Sequence, residues 1–271
     1  MMKFVFAGIA VALVAIAGWV FVRPLFRPAR IVAKEIYSTA PTGEARINHT
    51  AFDELLKKHV RKGRVDYAGL KTEQEKLRGY LKSLETLDVK NYGRNALLAL
   101  YVNAYNAATL ELILEHYPGI ASIKDIPAAK RWDDKRWTVC GELRSLTELE
   151  HEVLRKQFEE PRIHFAINCA SIGCPPIRSE AYTGDAIDAQ LQDQALVMNR
   201  EFGGAQWDGA ASTLKLSKIY DWYEGDFTRA GELKDYVAQF AAPDVAEQIK
   251  KRTKVDIVFQ EYNWALNDIS K

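Results

Sequence analysis

Apolar residues recur at every third or fourth position along much of this chain, which is the spacing that places them on one face of an α-helix. The strongest pattern predicts a helix from about Asn95 to His116, which Pro118 and Gly119 end. Shorter patterns predict helices near residues 52–60, 77–84, 145–158, 186–202, 232–240 and 245–252. The helix near 145 opens with a capping box, in which Ser145 is followed by Glu148.

Short apolar runs between these helices indicate strands. The runs are Trp137–Cys140, Ile163–Ile167, Leu214–Leu216 and Val255–Tyr262. No linker rich in Pro and Gly divides the chain beyond residue 46. We therefore predict an α+β fold in which residues 46–271 form a single mixed domain of helices around a small, mainly antiparallel sheet.

The first 45 residues follow a different pattern. Residues 4–22 carry no charge, and about 19 residues of helix span roughly 28 Å, close to the hydrocarbon thickness of a bilayer. This predicts one N-terminal transmembrane helix, followed by a tether over residues 23–45. A cleavable signal peptide is the competing interpretation, because Ala15-Ile16-Ala17 resembles a cleavage site. The apolar run continues to Val22, which favours an uncleaved anchor.

The orientation of this anchor is left open by the sequence. Lys3 precedes the apolar segment, and Arg23, Arg27 and Arg30 follow it, a balance that favours a cytoplasmic body. Against this charge balance, our prediction is a single-pass membrane protein whose body lies in the periplasm or otherwise outside the cytoplasm.

Charge and motif content narrow the range of partners and cofactors. The chain has 37 basic and 36 acidic residues, a net charge of +1, so nothing draws it as a whole towards nucleic acid. No Gly-x-Gly-x-x-Gly motif follows a strand and no Walker lysine is present, so we predict no cofactor. The predicted partners are the membrane, through the N-terminal helix, and an unknown small molecule or protein.

The candidate chemistry is concentrated between Arg162 and Arg178. The predicted strand ends here in small and turn-forming residues, and Cys169 and Cys174 lie at the break, with His164 upstream and Asn168 adjacent. Loops that follow regular elements are common places for functional residues. The chain has three cysteines, a number that does not suggest a disulfide framework and leaves at least one thiol unpaired in an oxidising compartment.

Two predicted helices carry further candidates. Asn103 and Asn106 are three residues apart in the helix over residues 95–116, so their amides share a face. They either fix packing by bonding nearby backbone or orient a catalytic group or ligand. His151 follows Glu148 by three residues, a spacing that suits metal ligands only beside a second such pair, and the chain has none.

These motifs resemble the domain-of-unknown-function 547 (DUF547) family. The resemblance rests on Asn-Ala-Tyr-Asn at 103–106, the Ser-Leu…Glu-His pattern at 145–151, the cysteine motif at 162–175, the block at 216–223 and the block at 262–267. The chain departs from the family pattern in having Gly173 where Ser is frequent and Asn263 where Asp is frequent. The family name specifies no activity, so the resemblance implies membership without a reaction.

The first functional hypothesis is a Cys-dependent hydrolase or acyl or amide transferase. Cys169 would be the nucleophile, His151 or His164 the base, and Asn103 or Asn106 the orienting group or oxyanion donor. On a straight strand His164 and Cys169 would face opposite sides, which favours His151 as the base unless the chain turns before Cys169.

Two other hypotheses remain open. Cys169 and Cys174 with one of the two histidines could hold a metal ion, but a second close cysteine pair is missing. Alternatively nothing is catalysed, and the body is a binding or scaffold module at the membrane, since buried cysteines are common in cores.

Overall fold

The computed structural model describes residues 46–270. Its α-helices in this range are, in chain order, α1 (Thr50–His59), α2 (Tyr67–Lys71), α3 (Gln74–Ser83), α4 (Arg94–His116), α5 (Ala128–Arg131), α6 (Ile163–Ala166), α7 (Ile187–Arg200), α8 (Lys218–Trp222), α9 (Glu224–Phe227), α10 (Leu233–Ala238) and α11 (Pro243–Lys250). Short 3₁₀ turns cover Val89–Asn91 and Ile123–Asp125, and a π-helix covers Glu148–Phe158.

The strands are short and form three separate sheets. They are β1 (Val60–Arg61), β2 (Arg64–Val65), β3 (Trp137–Val139), β4 (Glu142–Arg144), β5 (Ala205–Asp208), β6 (Thr213–Leu216) and β7 (Asp256–Phe259). β1 with β2 and β3 with β4 form antiparallel hairpins, whereas the order β5-β6-β7 combines an antiparallel and a parallel pair. β7 runs parallel to β6 because the chain returns through α8 to α11. The α+β class is confirmed, with three small sheets in place of the one predicted.

α4 is the centre of the fold. Every residue from Ala96 to Leu114 is buried, so the helix is packed on all sides. Among residues 46–270 it is the one helix with the length and hydropathy to cross a membrane, and its apolar window is 100% buried inside the protein. The predicted anchor at residues 4–22 and the tether lie outside the described residues, and the extent of the globular domain stays a prediction.

A second apolar cluster lies on the C-terminal side of the main core. Four aromatic rings pack within it, with Phe165 stacked on Phe227 and in contact with Tyr220 and Phe240. Phe165 comes from α6, shortly before Cys169, while its three ring partners come from α8, α9 and the turn after α10. The cysteine motif is thus positioned where the two apolar clusters meet.

The predicted strand at residues 163–167 is wrong, because this segment is helix α6. The amide of Ile167 donates to the carbonyl of Ile163 at 3.0 Å, which closes a helical turn. All four residues of α6 are buried, so the run is apolar without an alternating pattern, and such a run fits a buried helix as well as a strand. The helical turn removes the assumption that His164 and Cys169 face opposite sides.

Candidate functional site

A cleft of about 340 Å³ opens where the cysteine motif meets the π-helix and the C-terminal segments. Its helical wall includes Tyr105, Glu150, His151, His164, Cys169 and Cys174. Its C-terminal wall comprises Ile219, Trp222, Tyr223, Tyr262 and Trp264. Three residues predicted as catalytic, His151, His164 and Cys169, therefore border one cavity.

The two cysteines of the motif form a disulfide, which the odd number of cysteines did not suggest. Cys174 is buried, whereas Cys169 is partly exposed at the cleft. The amide of Cys169 donates to Cys174 Sγ at 2.9 Å, and the Tyr262 hydroxyl lies 3.0 Å from Cys169 Sγ and 2.9 Å from Cys174 Sγ. In this form neither sulfur is a thiol, and Cys140 is the free cysteine.

Asn168 holds the cysteine loop in shape. Its Oδ1 accepts from the amide of Ala170 at 2.8 Å, and its Nδ2 donates to the carbonyl of Pro175 at 2.7 Å. Ala170 has a φ of 62°, a left-handed conformation that is unfavourable for a residue with a Cβ atom. The bonds from Asn168 compensate for this conformation and fix the backbone on both sides of Cys169.

His164 is held at one nitrogen and unpartnered at the other. Its Nε2 lies 2.8 Å from Asp226 Oδ2, its ring stacks on Tyr223 at 3.8 Å between centroids, and its buried Nδ1 has no hydrogen-bond partner. Burial lowers the pKa of His164, an effect that the bond to Asp226 opposes. A neutral His164 that donates from Nε2 to Asp226 has a free lone pair on Nδ1.

Asp226 is the charged centre behind His164. Arg155 Nε lies 2.6 Å from Asp226 Oδ2, and Arg229 Nη2 lies 2.7 Å from Oδ1. Burial alone would raise the pKa of Asp226, but hydrogen bonds from His164, Arg155 and Arg229 bring it below its usual value. Asp226 is therefore a carboxylate and fixes the orientation of the His164 ring.

His151 is engaged differently. Its Nδ1 lies 2.8 Å from Arg155 Nη1, and a guanidinium only donates, so this nitrogen accepts. The lone pair that a general base would use is thus occupied by Arg155. The preference for His151 over His164 as base rested on a strand at residues 163–167, and the structure has helix α6 there instead.

Glu150 carries a buried carboxylate at the base of the cleft. The Tyr223 hydroxyl donates to its Oε1 at 2.5 Å, and the Tyr105 hydroxyl also bonds Glu150. Burial, with the nearby Glu150 charge, raises the pKa of both phenols, so both stay protonated as donors. Glu150 belongs to the Glu-His pair of the pattern at 145–151 that carries the family resemblance, but no role was assigned to it.

Asn103 and Asn106 do not border the cleft. Asn103 donates to the carbonyl of Tyr182 at 2.8 Å and accepts from its amide at 3.0 Å. Asn106 donates to the carbonyl of Ala166 at 3.0 Å and accepts from the amide of Asn168 at 2.8 Å. Both amides are used on backbone groups, so the structure gives them a positioning role in place of the predicted catalytic contact.

The two departures from the family pattern lie against each other. The amide of Gly173 donates to the carbonyl of Asn263 at 2.8 Å. A Cβ atom on Gly173 would lie 2.8 Å from the backbone nitrogen of Asn263, closer than such atoms approach in proteins. Gly173 therefore allows the C-terminal segment to pack directly on the cysteine loop.

Several site residues had weaker signals or none in the sequence. Tyr223 and Tyr262 fall in blocks that carry the family resemblance, although no role was assigned to them. Asp226 lies 62 residues from His164, and a pairing over that distance has no local pattern.

The metal hypothesis finds no site among the described residues. Residues 46–270 contain no group of three or more His, Cys, Asp or Glu side chains placed to hold an ion, and both cysteine sulfurs are in the disulfide.

One comparison with known proteins gives a match. The model of a family described as "Protein of unknown function, DUF547" matches residues 89–197, which confirms the resemblance seen in the motifs. The matched range contains α4, the π-helix, α6 and the cysteine loop, and it ends within α7. No curated protein and no solved structure matches the chain.

Proposed function

We propose that this chain, whose residues 89–197 match the DUF547 family, is a thiol-dependent hydrolase or acyl or amide transferase. Cys169 in its reduced form is the nucleophile, His164 the general base and Asp226 the residue that orients the base. The observation that supports this most is the buried, unpartnered Nδ1 of His164, on a ring that shares the cleft with Cys169 while Asp226 holds Nε2 at 2.8 Å.

The disulfide has to be opened before this chemistry starts. A dithiol reductant supplies two electrons and two protons, the bond between Cys169 and Cys174 breaks, two thiols form, and the reductant becomes a disulfide. The Cys169 thiol then passes its proton to His164 Nδ1. The resulting thiolate is the reactive nucleophile.

The acyl step follows from the same groups. The Cys169 thiolate attacks the carbonyl carbon of an amide or ester, and the carbonyl electron pair moves to oxygen, where the Tyr262 hydroxyl can donate. Burial raises the pKa of Tyr262, so this donor stays protonated. The intermediate expels its leaving group, which takes the proton from His164. Water or an amine then attacks the thioester, gives its proton to His164 and releases the acyl group, and Cys169 recovers its proton.

The test is alkylation of the reduced full-length chain with iodoacetamide at pH 7, followed by mapping of the labelled cysteines by mass spectrometry. We expect Cys169 to react far faster than Cys140, because burial raises the pKa of Cys140 to about 11. His164→Gln should slow Cys169 labelling by about tenfold or more, and His151→Gln should have a much smaller effect. Equally slow labelling of Cys169 and Cys140 would remove the proposal.

A binding or scaffold module is the second candidate, and the disulfide favours it, since a paired Cys169 cannot act as a nucleophile. The two candidates differ in a cellular assay of the full-length chain. A thiol enzyme loses function in Cys169→Ser, whereas a binding module retains it.

We also propose that the N-terminal segment anchors the body outside the cytoplasm. A disulfide between Cys169 and Cys174 supports this placement, because disulfides persist in oxidising compartments. After an alkaline carbonate wash, the full-length chain should stay with the membranes and a chain lacking residues 1–45 should not. Release of both would contradict the anchor.

A further inference from the structure

We propose that the cleft selects substrates that carry an alkylammonium group, with Glu150 as the residue that pairs with it. This inference rests on the proposed function, since it specifies the class of acyl compound that reaches Cys169. It is carried by three features of the cleft: the charges of its walls, the partners of Glu150 and the aromatic rings beside it.

The walls of the cleft are acidic. Among the described residues that line it, Glu150 and Asp133 have carboxylates, and none is Lys or Arg. Arg155 does not line the cleft and is bound to Asp226, to His151 and over the Tyr223 ring. An anionic substrate would meet negative charge in this cleft, and a cationic one would meet charge of the opposite sign.

Glu150 is buried without a cation of its own. It is 8% exposed, and in the part of the chain that the structure describes its hydrogen bonds come from the neutral phenols of Tyr223 and Tyr105. Arg155 acts on Glu150 electrostatically, but its hydrogen bonds go to Asp226 and His151. A buried carboxylate is costly unless it is paired, and a ligand ammonium in the cleft would pair with Glu150 directly.

Aromatic rings complete the site. Trp222, Tyr262 and Trp264 pack together with centroids 4.5 to 5.8 Å apart, and Trp222 is 43% exposed. Aromatic faces attract alkylammonium groups. The Lys124 ammonium, which lies 4.7 Å from the Trp264 ring centroid, shows that this ring already accepts a cation from within the chain.

The size of the cleft limits the ligand. A volume of about 340 Å³ is at the lower end of the range for small-molecule sites, so it suits one compact group beside the reacting carbonyl. Glu150 and Cys169 belong to the same cavity, which places the ammonium and the acyl carbon of one small molecule within its reach. The substrate class is therefore a small amide or ester that bears an alkylammonium group.

The test compares two probes of equal shape, choline and 3,3-dimethylbutan-1-ol, by quenching of tryptophan fluorescence in the oxidised full-length chain. We expect choline to bind about tenfold more tightly than the neutral alcohol. Glu150→Gln should abolish that preference, and Asp133→Asn, at an exposed carboxylate of the cleft, should largely retain it. The two-probe comparison needs no variant, so it stands even if Glu150→Gln fails to fold.

The outcomes separate this inference from the proposed function. Equal affinities, or tighter binding of the anion 3,3-dimethylbutanoate, would overturn the alkylammonium preference and leave the alkylation result for Cys169 untouched. A preference for choline in a chain whose reduced Cys169 is unreactive would support the cation site and overturn the thiol chemistry.

Discussion

The helical wall of the cleft supplies the groups proposed to react, and the C-terminal wall and its neighbours supply residues that bond those groups. The helical wall, which lies within the matched residues 89–197, carries the groups proposed to react, Cys169 and His164, together with Glu150. Each of the three bonds a residue beyond residue 197: Cys169 with Tyr262 at 3.0 Å, His164 with Asp226 at 2.8 Å and Glu150 with Tyr223 at 2.5 Å.

This comparison shows that the matched residues do not contain the whole site. The groups on the helical wall are oriented by partners that come from the junction of α8 and α9, from α9 and from the chain after β7. A substitution on one wall should therefore change the measured behaviour of groups on the other wall. The predictions below start with the largest expected effect, and those on Asp226 and Tyr262 test this coupling directly.

Asp226→Asn should give the largest loss of stability. Removal of this charge leaves Arg155 and Arg229 without their carboxylate and weakens the hold on His164, which costs about 3 kcal/mol or more. Urea denaturation of the full-length chain measures the change. The control is Asp221→Asn on α8, whose partly exposed pair with Lys218 should contribute less than about 1 kcal/mol. Similar losses in both variants would mean that the walls are not coupled through Asp226.

Acid should destabilise the fold through the buried His49. His49 is buried, and burial lowers its pKa from 6.5 to about 4. The unfolded chain therefore binds the proton first, and stability is full above pH 6.5 and falls as the pH drops to 4, by about 3 kcal/mol. The lowered pKa of His164 acts in the same direction.

Denaturation curves between pH 7.5 and pH 4 measure this dependence. His49→Phe should reduce the dependence of the free energy of unfolding on pH by the amount that His49 contributes. This holds whatever the stability of the variant is at pH 7.5. An unchanged slope in His49→Phe would contradict the assignment.

Asn106→Ala should cost about 2 kcal/mol, because it leaves the buried amide of Asn168 and the carbonyl of Ala166 without their partner. If Asn106 has only a positioning role, Asn106→Ala should change the rate of Cys169 alkylation no more than Asn103→Ala does. A loss of alkylation confined to Asn106→Ala would instead restore the predicted catalytic contact.

Tyr262→Phe should give the smallest effect. The phenol contacts both sulfurs, and its loss removes one donor to the Cys169 thiolate, so we expect alkylation of reduced Cys169 to slow by about fivefold with little change in stability. Faster alkylation in Tyr262→Phe would show that the ring shields the sulfur more than the hydroxyl activates it.

The elements with strong local signals were predictable from the sequence. Helical spacing located α4, and the capping box at Ser145 is present, with Glu148 donating its amide to Ser145 Oγ at 3.2 Å and accepting from the Ser145 amide at 3.1 Å. α6 was missed because a short apolar run that is buried on all sides has no period. Within the site, the sequence brought His151, His164 and Cys169 into consideration, but not the partners that distinguish them.

The partners of His164 depend on contacts between distant parts of the chain. Asp226 pairs with His164 and with Arg155 only once α9 packs against α6 and the π-helix. The contact of Arg155 with His151 is local, since the two residues are four apart on the π-helix. The disulfide has the opposite limitation: Cys169 and Cys174 are close in sequence, but their spacing fits a metal site or free thiols equally well.

The bonds from Asn103 and Asn106 determine which parts of the cleft can separate. They attach the backbone at Tyr182 and at Ala166 to α4, so the same helix holds the chain on both sides of the cysteine loop. The C-terminal segment follows that loop, since the carbonyl of Asn263 accepts from the Gly173 amide. If the entrance widens to admit a ligand, the part of the cleft beneath the sulfurs should keep its shape, because α4 holds the loop at both ends.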